Sequence, residues 1–529
     1  MKLNEAQQAC VAARDGVYCT IAGPGSGKTS VLIQRFLMML LHQIPQEDIL
    51  NLTFTSSAAE NMAVKAGIKD AKTIFRTFHS FALQVIDRER EYLDFDLCDT
   101  IIPVELQNFQ LLFDLVKIYP GISSWESLQN KISEWKRTGV TPDQALEETA
   151  HLKEEYYQAL AYRDYEIKCR QQGWLDFDSV MTEAVGILEK HEDARRRWQR
   201  KYINVDEFQD TDEIQIKFLQ LIFENNIYAV GDSNQGIYEW RSARATNLTN
   251  FHQFFPGAQK FFLGQNYRST KQLVEFFKRI LPDDNGIGSH MMTENQEGTP
   301  PTITKYVDEY EEAEQVLKLA SVDPINSAII ARTNRQLFRY QKACAIKGIK
   351  YKFLGKKDFW QQPEVAKLLD WAKKANPSPS VPAEDVLKQI IRDKRLVEIY
   401  GRTTRKMESS PVENLNDIVK MAAKKGNLPE FLDWLRRVTH ARQNIKGLTL
   451  STVHQSKGRE YKKVYLIGCT QGIMPHEDGE LHEEHRIFFV GCTRAADELH
   501  ISFYRSPSMF IPAEDKARIV EYEPVLASN

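Results

Sequence analysis

Two adjacent carboxylates, Asp206 and Glu207, offer the clearest chemistry in this chain of 529 residues. They follow a short apolar stretch, Tyr202–Val205, that is typical of a buried strand. One carboxylate at such a strand end can hold Mg²⁺, and its neighbour can activate a water molecule that attacks a phosphate. Paired acids also occur at ordinary solvated turns, so their meaning depends on whether the chain offers a phosphate site.

A glycine-rich loop near the start of the chain predicts that phosphate site. It fits the pattern G-x-x-x-x-G-K-[ST], with alanine in the first position: Ala22, Gly23, Pro24, Gly25, Ser26, Gly27, Lys28 and Thr29. Glycines let backbone N–H groups face the phosphates, and a following helix adds its positive N-terminus. Lys28 can bridge the β- and γ-phosphates, and Thr29 can ligate Mg²⁺. The dinucleotide pattern G-x-G-x-x-G is not matched, so the residues favour a Mg²⁺-dependent ATPase.

Composition sets limits on the other functional classes. Hydrophobic residues make up 42% and the net charge is −3, as expected for a globular protein whose overall charge does not indicate nucleic-acid binding. We find no apolar run long enough for a membrane span and no signal peptide. Seven scattered cysteines without a C-x-x-C pair indicate a reducing, cytoplasmic location and no zinc or iron–sulfur site.

The spacing of the two motifs predicts an inserted subdomain. A minimal nucleotide-binding core needs fewer residues between its phosphate loop and its acids, and residues 80–175 are rich in helix formers and charges. The segment Asn376–Ser380 is a strong chain breaker and indicates a second boundary. Residues 383–443 are predicted to form short helices, and strand character returns at Leu448–Val453.

Further motifs follow in order along nearly the whole chain. They lie at Leu3–Gln7, Thr53–Ser56, Thr77–Ser80, Gly231–Ala243, Gln265–Ser269, Thr452–Glu460 and Val490–Ala495. Together with the phosphate loop and the acid pair, they resemble the superfamily 1A DNA helicases of the UvrD/Rep/PcrA type, in a compact form. This resemblance implies an α/β fold with two RecA-like P-loop motor domains, each with a parallel sheet and a mostly helical insertion. The implied ranges are 1–79 with 176–270, insertion 80–175, then 271–375 with 446–529, and the reduced insertion 376–445.

The resemblance also assigns roles in ATP hydrolysis. It implies five catalytic residues: Lys28, Glu207, Gln235, Arg268 and Arg494. Asp206 and Thr29 would hold Mg²⁺. Beyond the phosphate loop, the implied ATP contacts are Gln7 on adenine, Tyr267 against the adenine ring and Glu460 on the ribose. Ser30 stands where relatives often have an arginine that stacks on adenine, and Arg459 replaces a usual leucine.

A third set of residues is implied to bind DNA: Phe54, Thr55, His79, Tyr238, Trp240, His454 and Ser456. Stacking of bases on aromatic rings tolerates any sequence, as a moving motor requires. Other interpretations stay open, because Phe54 and Trp240 could be core residues and His79 a structural histidine.

The resulting hypothesis is an ATP-dependent helicase or translocase that moves 3′-to-5′ on single-stranded DNA and acts at single-strand/duplex junctions. ATP would be hydrolysed in a cleft between the two motor domains. Because residues 376–445 are few compared with the long subdomain of relatives, movement is implied more directly than unwinding. The alternatives are a motor subunit that serves a nuclease, a repair factor or a phage-defence complex, and a non-catalytic DNA scaffold. The retained Lys28 and Glu207 argue against the scaffold.

Overall fold

The chain forms two compact units. The computed structural model describes residues 3–67, 74–98, 105–355, 357–401, 410–440 and 446–522. The first unit comprises Met1–Asn266 and Asp283–Met291, and the second comprises Tyr267–Pro282 and Met292–Asn529. The chain therefore leaves the first unit, returns to it for one short segment, and leaves it again.

The first unit is built on six parallel strands. These are β1 Val17–Ala22, β2 Ile49–Thr53, β3 Phe75–Thr77, β4 Arg200–Val205, β5 Phe223–Gly231 and β6 Gln259–Leu263. Their spatial order is β3, β2, β4, β5, β1, β6. Strands β4, β5 and β1 are thus neighbours, and parallel pairing places their carboxyl ends at one edge of the sheet. The phosphate loop follows β1 and the acid pair follows β4, so the topology brings the two predicted motifs to the same edge.

Helices cover both faces of this sheet and form its insertion. Their bounds are α1 Glu5–Ala12, α2 Lys28–Leu41, α3 Ser56–Ala66, α4 Phe78–Arg88, α5 Glu105–Ile118, α6 Trp125–Arg137, α7 Pro142–Thr149, α8 Lys153–Gln171, α9 Phe177–Lys190, α10 Glu192–Trp198, α11 Glu213–Ile222, α12 Thr246–Thr249 and α13 Phe251–Phe254. Strand β2 is buried throughout and β4 over Tyr202–Val205, as expected for the inner strands of a parallel sheet, whereas the edge strands β3 and β6 are less buried.

The second unit repeats this architecture with seven parallel strands. These are β7 Thr302–Tyr306, β8 Ser327–Ala331, β9 Tyr351–Leu354, β10 Leu448–Thr452, β11 Tyr461–Leu466, β12 Ala495–Tyr504 and β13 Val520–Glu521. Their order is β13, β7, β12, β11, β8, β10, β9. The predicted α/β fold class, with two RecA-like parallel sheets, is confirmed.

Eleven described helices complete the second unit. They are α14 Lys271–Arg279, α15 Glu309–Ala320, α16 Asn334–Lys347, α17 Pro363–Lys374, α18 Ala383–Asp393, α19 Leu396–Gly401, α20 Pro411–Ala422, α21 Leu428–His440, α22 Val453–Ser456, α23 Leu481–Cys492 and α24 Ala513–Lys516. Helices α17 to α21 share an apolar core that includes Trp360, Leu368, Leu415 and Phe431. Two parts of the predicted second insertion, 402–409 and 441–445, lie outside the described residues. None of the helices in the described ranges is long and apolar enough to cross a membrane.

A buried ion cluster fixes the helical insertion of the first unit. The Lys136 side chain, on α6, is only 1% exposed. Its Nζ lies 2.6 Å from Glu166 Oε1 and 2.7 Å from Asp176 Oδ2, and it donates to Ser179 Oγ at 2.7 Å. Burial opposes the charge of Asp176, but Lys136 and the hydrogen bonds outweigh it and lower the pKa of that carboxyl to about 2. Because Asp176 also caps α9, the cluster joins α6 to α9.

We expect Lys136→Met to destabilise the protein by about 3 kcal/mol, because it leaves two buried carboxylates without their cation. The measurement is the apparent free energy of unfolding in urea. Lys131→Met on the same helix is the matched control. Its ammonium group pairs with Glu134 at 3.0 Å on the surface, so the loss should stay below about 1 kcal/mol. Equal losses for the two variants would contradict the assignment.

Candidate nucleotide and nucleic-acid sites

The phosphate loop has the backbone shape that an anion site requires. Gly25 and Gly27 have φ values of 67° and 81°, in the left-handed region that glycine adopts without strain. Ser26 Oγ donates to Gly23 O at 2.8 Å, and Gly23 N donates to Leu263 O at 2.8 Å. Helix α2 begins at Lys28, directly after the loop. The loop is therefore held between β1 and β6 at the N-terminus of a helix, where backbone N–H groups favour an anion.

Gln7 connects the N-terminal helix to this loop. Its backbone N–H donates to Asn4 Oδ1 at 2.7 Å, and its Oε1 accepts from Asn4 N at 3.1 Å, which together form a capping box on α1. Its Nε2 donates to Ser26 O at 3.0 Å. The Gln7 side chain, which is predicted to contact adenine, is thus buried, and both the oxygen and the nitrogen of its amide form hydrogen bonds. Asn266 makes a second connection, since its Nδ2 donates to Pro24 O at 2.8 Å.

The acid pair lies in a desolvated and strained segment. Asp206 is buried, and Glu207 has a φ of 53°, a left-handed conformation that costs a non-glycine residue on the order of 1 kcal/mol. Glu207 N donates to Asp206 Oδ1 at 3.1 Å. Burial, and then repulsion from Glu207, raise the pKa of Asp206 to about 7 against the opposing charge of Lys28. The phosphate-loop lysine and both carboxylates therefore share one electrostatic environment.

Sequence reasoning assigned no role to Gln209 and Asp232, which extend this site. Gln209 Nε2 donates to Glu207 Oε2 at 2.5 Å, and Gln209 Oε1 accepts from Asp232 N at 3.0 Å. Asp232 Oδ2 in turn accepts from Gln235 Nε2 at 2.6 Å. A methyl group on Gly231 would lie 2.2 Å from Gln209 Oε1, so only glycine leaves room for this bridge. From the sequence, the one indication of such a role was that both residues stand close to predicted catalytic residues, just after β4 and β5.

The predicted DNA residues of the first unit form an aromatic surface. The rings of Phe54 and Tyr238 stack at a centroid distance of 5.3 Å, and Trp240 meets Tyr238 edge-on at 6.4 Å. The Arg241 guanidinium lies 5.3 Å from the Phe54 centroid and 5.6 Å from that of Trp240. Trp240 is 66% exposed, which rules out the core-packing alternative for it. Thr55 caps α3 by accepting from Ala58 N at 3.1 Å.

His79 lies in a cleft of about 140 Å³ beside this surface. Its ring stacks on Phe177 at a centroid distance of 3.7 Å. Burial, and then the nearby positive charges of Arg241 and Arg137, lower the pKa of His79 to about 4, so the imidazole is neutral near pH 7. The cleft is also lined by Asp178 and Asp212, so His79 lies among charged groups of both signs.

In the second unit, the two arginines that were predicted to be catalytic both contact Thr493. Arg268 Nη1 donates to Thr493 O at 2.9 Å, and Arg494 Nη2 donates to Thr493 Oγ1 at 3.2 Å. Arg268 Nε also pairs with Glu460 Oε2 at 2.8 Å, so three predicted ATP residues lie together. Arg494 is buried and donates from Nε to Val490 O at 3.0 Å. The neighbouring Tyr267 is 44% exposed.

The last two predicted DNA residues lie on the short helix α22, directly after β10. His454 is partly exposed, whereas Ser456 is buried and its Oγ donates to Val453 O at 2.7 Å. The structure therefore offers the His454 ring to a ligand more readily than the Ser456 hydroxyl.

The lowered pKa of His79 predicts a pH-dependent loss of stability. The unfolded chain takes up a proton below about pH 6.5, whereas the folded site resists protonation down to about 4. Stability should therefore fall as the pH drops through that window, by on the order of 2 kcal/mol between pH 7 and pH 5. We expect His79→Gln to remove this component in urea unfolding at both pH values. An unchanged pH dependence would contradict it, and His252→Gln, at an exposed position, is the control.

Comparison with known proteins agrees with this geometry. Residues 3–256 match the UvrD/REP helicase N-terminal domain, and residues 261–392 and 370–506 match the UvrD-like helicase C-terminal domain. The ATP-dependent DNA helicase PcrA of Bacillus subtilis is 25% identical over 96% of this chain and 83% of its own length. A probable DNA helicase II homolog of Rickettsia felis is 26% identical over 96% and 93%. The ATP-dependent DNA helicase Rep of Escherichia coli is 26% identical over 94% and 90%. The chain therefore belongs to the UvrD/Rep/PcrA family of superfamily 1 DNA helicases.

Proposed function

We propose that this protein is an ATP-dependent DNA helicase that moves 3′-to-5′ along single-stranded DNA. The observation that carries the proposal is a chain of hydrogen bonds within the first unit. It runs from Glu207 through Gln209 and Asp232 to Gln235, three residues before the Tyr238 stack. A change at the phosphate site can therefore reach the aromatic surface through a few short contacts.

The phosphate loop and the acid pair supply the groups for phosphoryl transfer. We assign Lys28, Ser30 and the loop from Ala22 to Thr29 to the triphosphate, although Pro24 has no backbone N–H to donate. Thr29 and Asp206 would hold Mg²⁺ through their oxygen atoms, which are the ligands that this ion takes. The repulsion between the carboxylates of Asp206 and Glu207 also fits a site for a cation. When bound, Mg²⁺ would neutralise charge on the phosphate oxygens. Glu207 accepts a proton from the attacking water, and its bond to Gln209 holds its carboxylate in place.

The remaining ATP residues complete the proposed reaction. Gln7 and Tyr267 recognise the adenine, and Gln235 senses the γ-phosphate. Arg268 and Arg494 neutralise charge that develops on the transferred phosphoryl group. These arginines belong to the second unit and Lys28 to the first. The exposed Glu460 holds Arg268 by an ion pair until a nucleotide replaces it, and then binds the ribose.

Nucleic acid is assigned to the aromatic surface. Bases stack on Phe54, Tyr238 and Trp240, while Thr55 contacts the backbone. His79 adds a neutral ring on the first unit, and His454 with Ser456 contribute from the second. The neutral His79 and the stacked rings of Phe54 and Tyr238 favour stacking as the main contact, which suits movement along any sequence. The domain ranges predicted from the sequence, including the reduced insertion 376–445, stay a prediction.

Strand displacement on tailed duplexes tests the proposed activity and direction. We expect ATP-dependent displacement with a 3′ single-stranded tail and little with a 5′ tail, at one stated salt concentration because phosphate contacts are salt-sensitive. Lys28→Ala should lower DNA-stimulated ATP hydrolysis by about 100-fold or more, because it removes a positive charge from the reacting phosphates. Near-normal turnover in that variant would contradict the site. DNA-stimulated hydrolysis without displacement would favour a motor that works with a protein partner.

Trp240→Ala tests the aromatic surface. We expect single-stranded DNA to bind about tenfold more weakly and to stimulate hydrolysis at correspondingly higher concentration, because one stacking platform is lost. Binding of nucleotide should stay unchanged. Tyr310→Ala is the matched control, since Tyr310 is 67% exposed, close to the 66% of Trp240, and lies outside the predicted DNA motifs. Loss of folding in Trp240→Ala, or equal effects in both variants, would contradict the assignment.

A further inference from the structure

The segment Asp283–Met291 belongs to the first unit although both its flanks belong to the second. We call this segment the strap. It follows Tyr267–Pro282, and the chain re-enters the second unit at Met292. The strap is thus tied covalently, at both ends, to a unit other than the one on which it packs.

The strap holds the turn that carries Gln235. Asn234 Nδ2 donates to Asp283 O at 2.8 Å, and Asp283 N donates to Asn234 Oδ1 at 2.8 Å. Asn285 Nδ2 donates to Ser233 Oγ at 2.9 Å. Asn234 is 1% exposed, and the three hydrogen bonds are partly buried. The two residues held, Ser233 and Asn234, stand between Asp232 and Gln235, which are themselves joined by a hydrogen bond.

The other end of the strap lies beside the phosphate loop. Ile287 and Met291 are buried, at 1% and 2% exposure. A methyl group on Gly23 would lie 3.6 Å from Met291 Cγ and 3.8 Å from Ile287 Cγ1, so these two side chains lie next to the start of the loop. The His290 ring stacks on Phe262 at 4.7 Å. One segment of nine residues therefore bonds to the Gln235 turn and lies beside the phosphate loop.

We infer that the strap couples the nucleotide site to the second unit, with Asn234 and Asn285 as positioning residues for Gln235. The inference rests on the proposed function, and it adds a second route of coupling beside the Gln209 bridge. When the γ-phosphate shifts Gln235, the Ser233–Asn234 turn moves with it, and the strap carries that movement along the chain to Pro282 and Met292. In the reverse direction, a displaced second unit withdraws Gln235 from the phosphate.

Asn285 provides a clean substitution. Its φ of 42° is left-handed, so Asn285→Gly keeps the backbone and removes the amide, whereas Asn285→Asp keeps an acceptor for the Ser233 hydroxyl. We expect Asn285→Gly to lower the number of nucleotides moved per ATP roughly threefold, because the hydrogen bond between the strap and Ser233 is lost. Asn285→Asp should retain most of the wild-type ratio. Ser289→Ala is the control, since its hydroxyl donates only within the strap, to Gly286 O at 3.2 Å.

The experiment measures single-strand translocation and phosphate release in parallel, and then hydrogen exchange of residues 283–291 with and without a non-hydrolysable ATP analogue and Mg²⁺. We expect the analogue to change exchange in the strap of the wild type and to have less effect in Asn285→Gly. A wild-type ratio in a folded Asn285→Gly protein overturns the inference and leaves the proposed function intact. If the wild type does not move on DNA, the proposed function fails. In that case, hydrogen exchange of residues 283–291 that the analogue leaves unchanged would overturn the inference about the strap as well.

Discussion

The buried carboxylate of Asp206 is held beside the partly exposed carboxylate of Glu207, and the surrounding structure depends on that unfavourable contact. Burial and repulsion together raise the pKa of Asp206, while Lys28 opposes the effect. Such a cluster is stable only if the rest of the fold restrains it. The parallel sheet supplies the restraint, since β4, β5 and β1 deliver the acids, Asp232 and the phosphate loop to one edge. A bound divalent cation would relieve the repulsion.

Much of this could be predicted from the sequence because the chemistry dictates the residue types. A loop that wraps phosphates needs glycines with left-handed φ, and Gly25 and Gly27 adopt it. The apolar stretch before Asp206 predicted a buried strand, and the α/β class that the resemblance implied is confirmed. The sequence left open whether Trp240 is a core residue, because the residue type does not decide its exposure. The structure shows that most of the ring is in solvent.

The parts that could not be predicted depend on which strands are neighbours. Gln209 bridges Glu207 and Asp232 only because β4 lies beside β5, and no local pattern marks the bridge. The strap lies inside a stretch that the motifs assign to the second domain, yet its hydrogen bonds go to Ser233 and Asn234 of the first. The resemblance implied that Ser456 contacts DNA, but its hydroxyl donates to Val453 O. The first two cases are decided by contacts between residues far apart in the chain, and the third by a hydrogen bond within a single turn.

The two arginines of the second unit are held with different strength, and this difference suits different roles. Arg268 pairs with a Glu460 side chain that is 67% exposed, an ion pair of the kind that contributes at most about 1 kcal/mol and is easily exchanged for a phosphate. Arg494 is buried and donates to the Val490 and Arg459 carbonyls and the Thr493 hydroxyl, so its position follows the backbone around it. Under the proposed function, Arg268 can exchange Glu460 for a phosphate, whereas Arg494 is fixed to the backbone of its own unit. Because both arginines contact Thr493, that exchange would also change the surroundings of the residue that helps to hold Arg494.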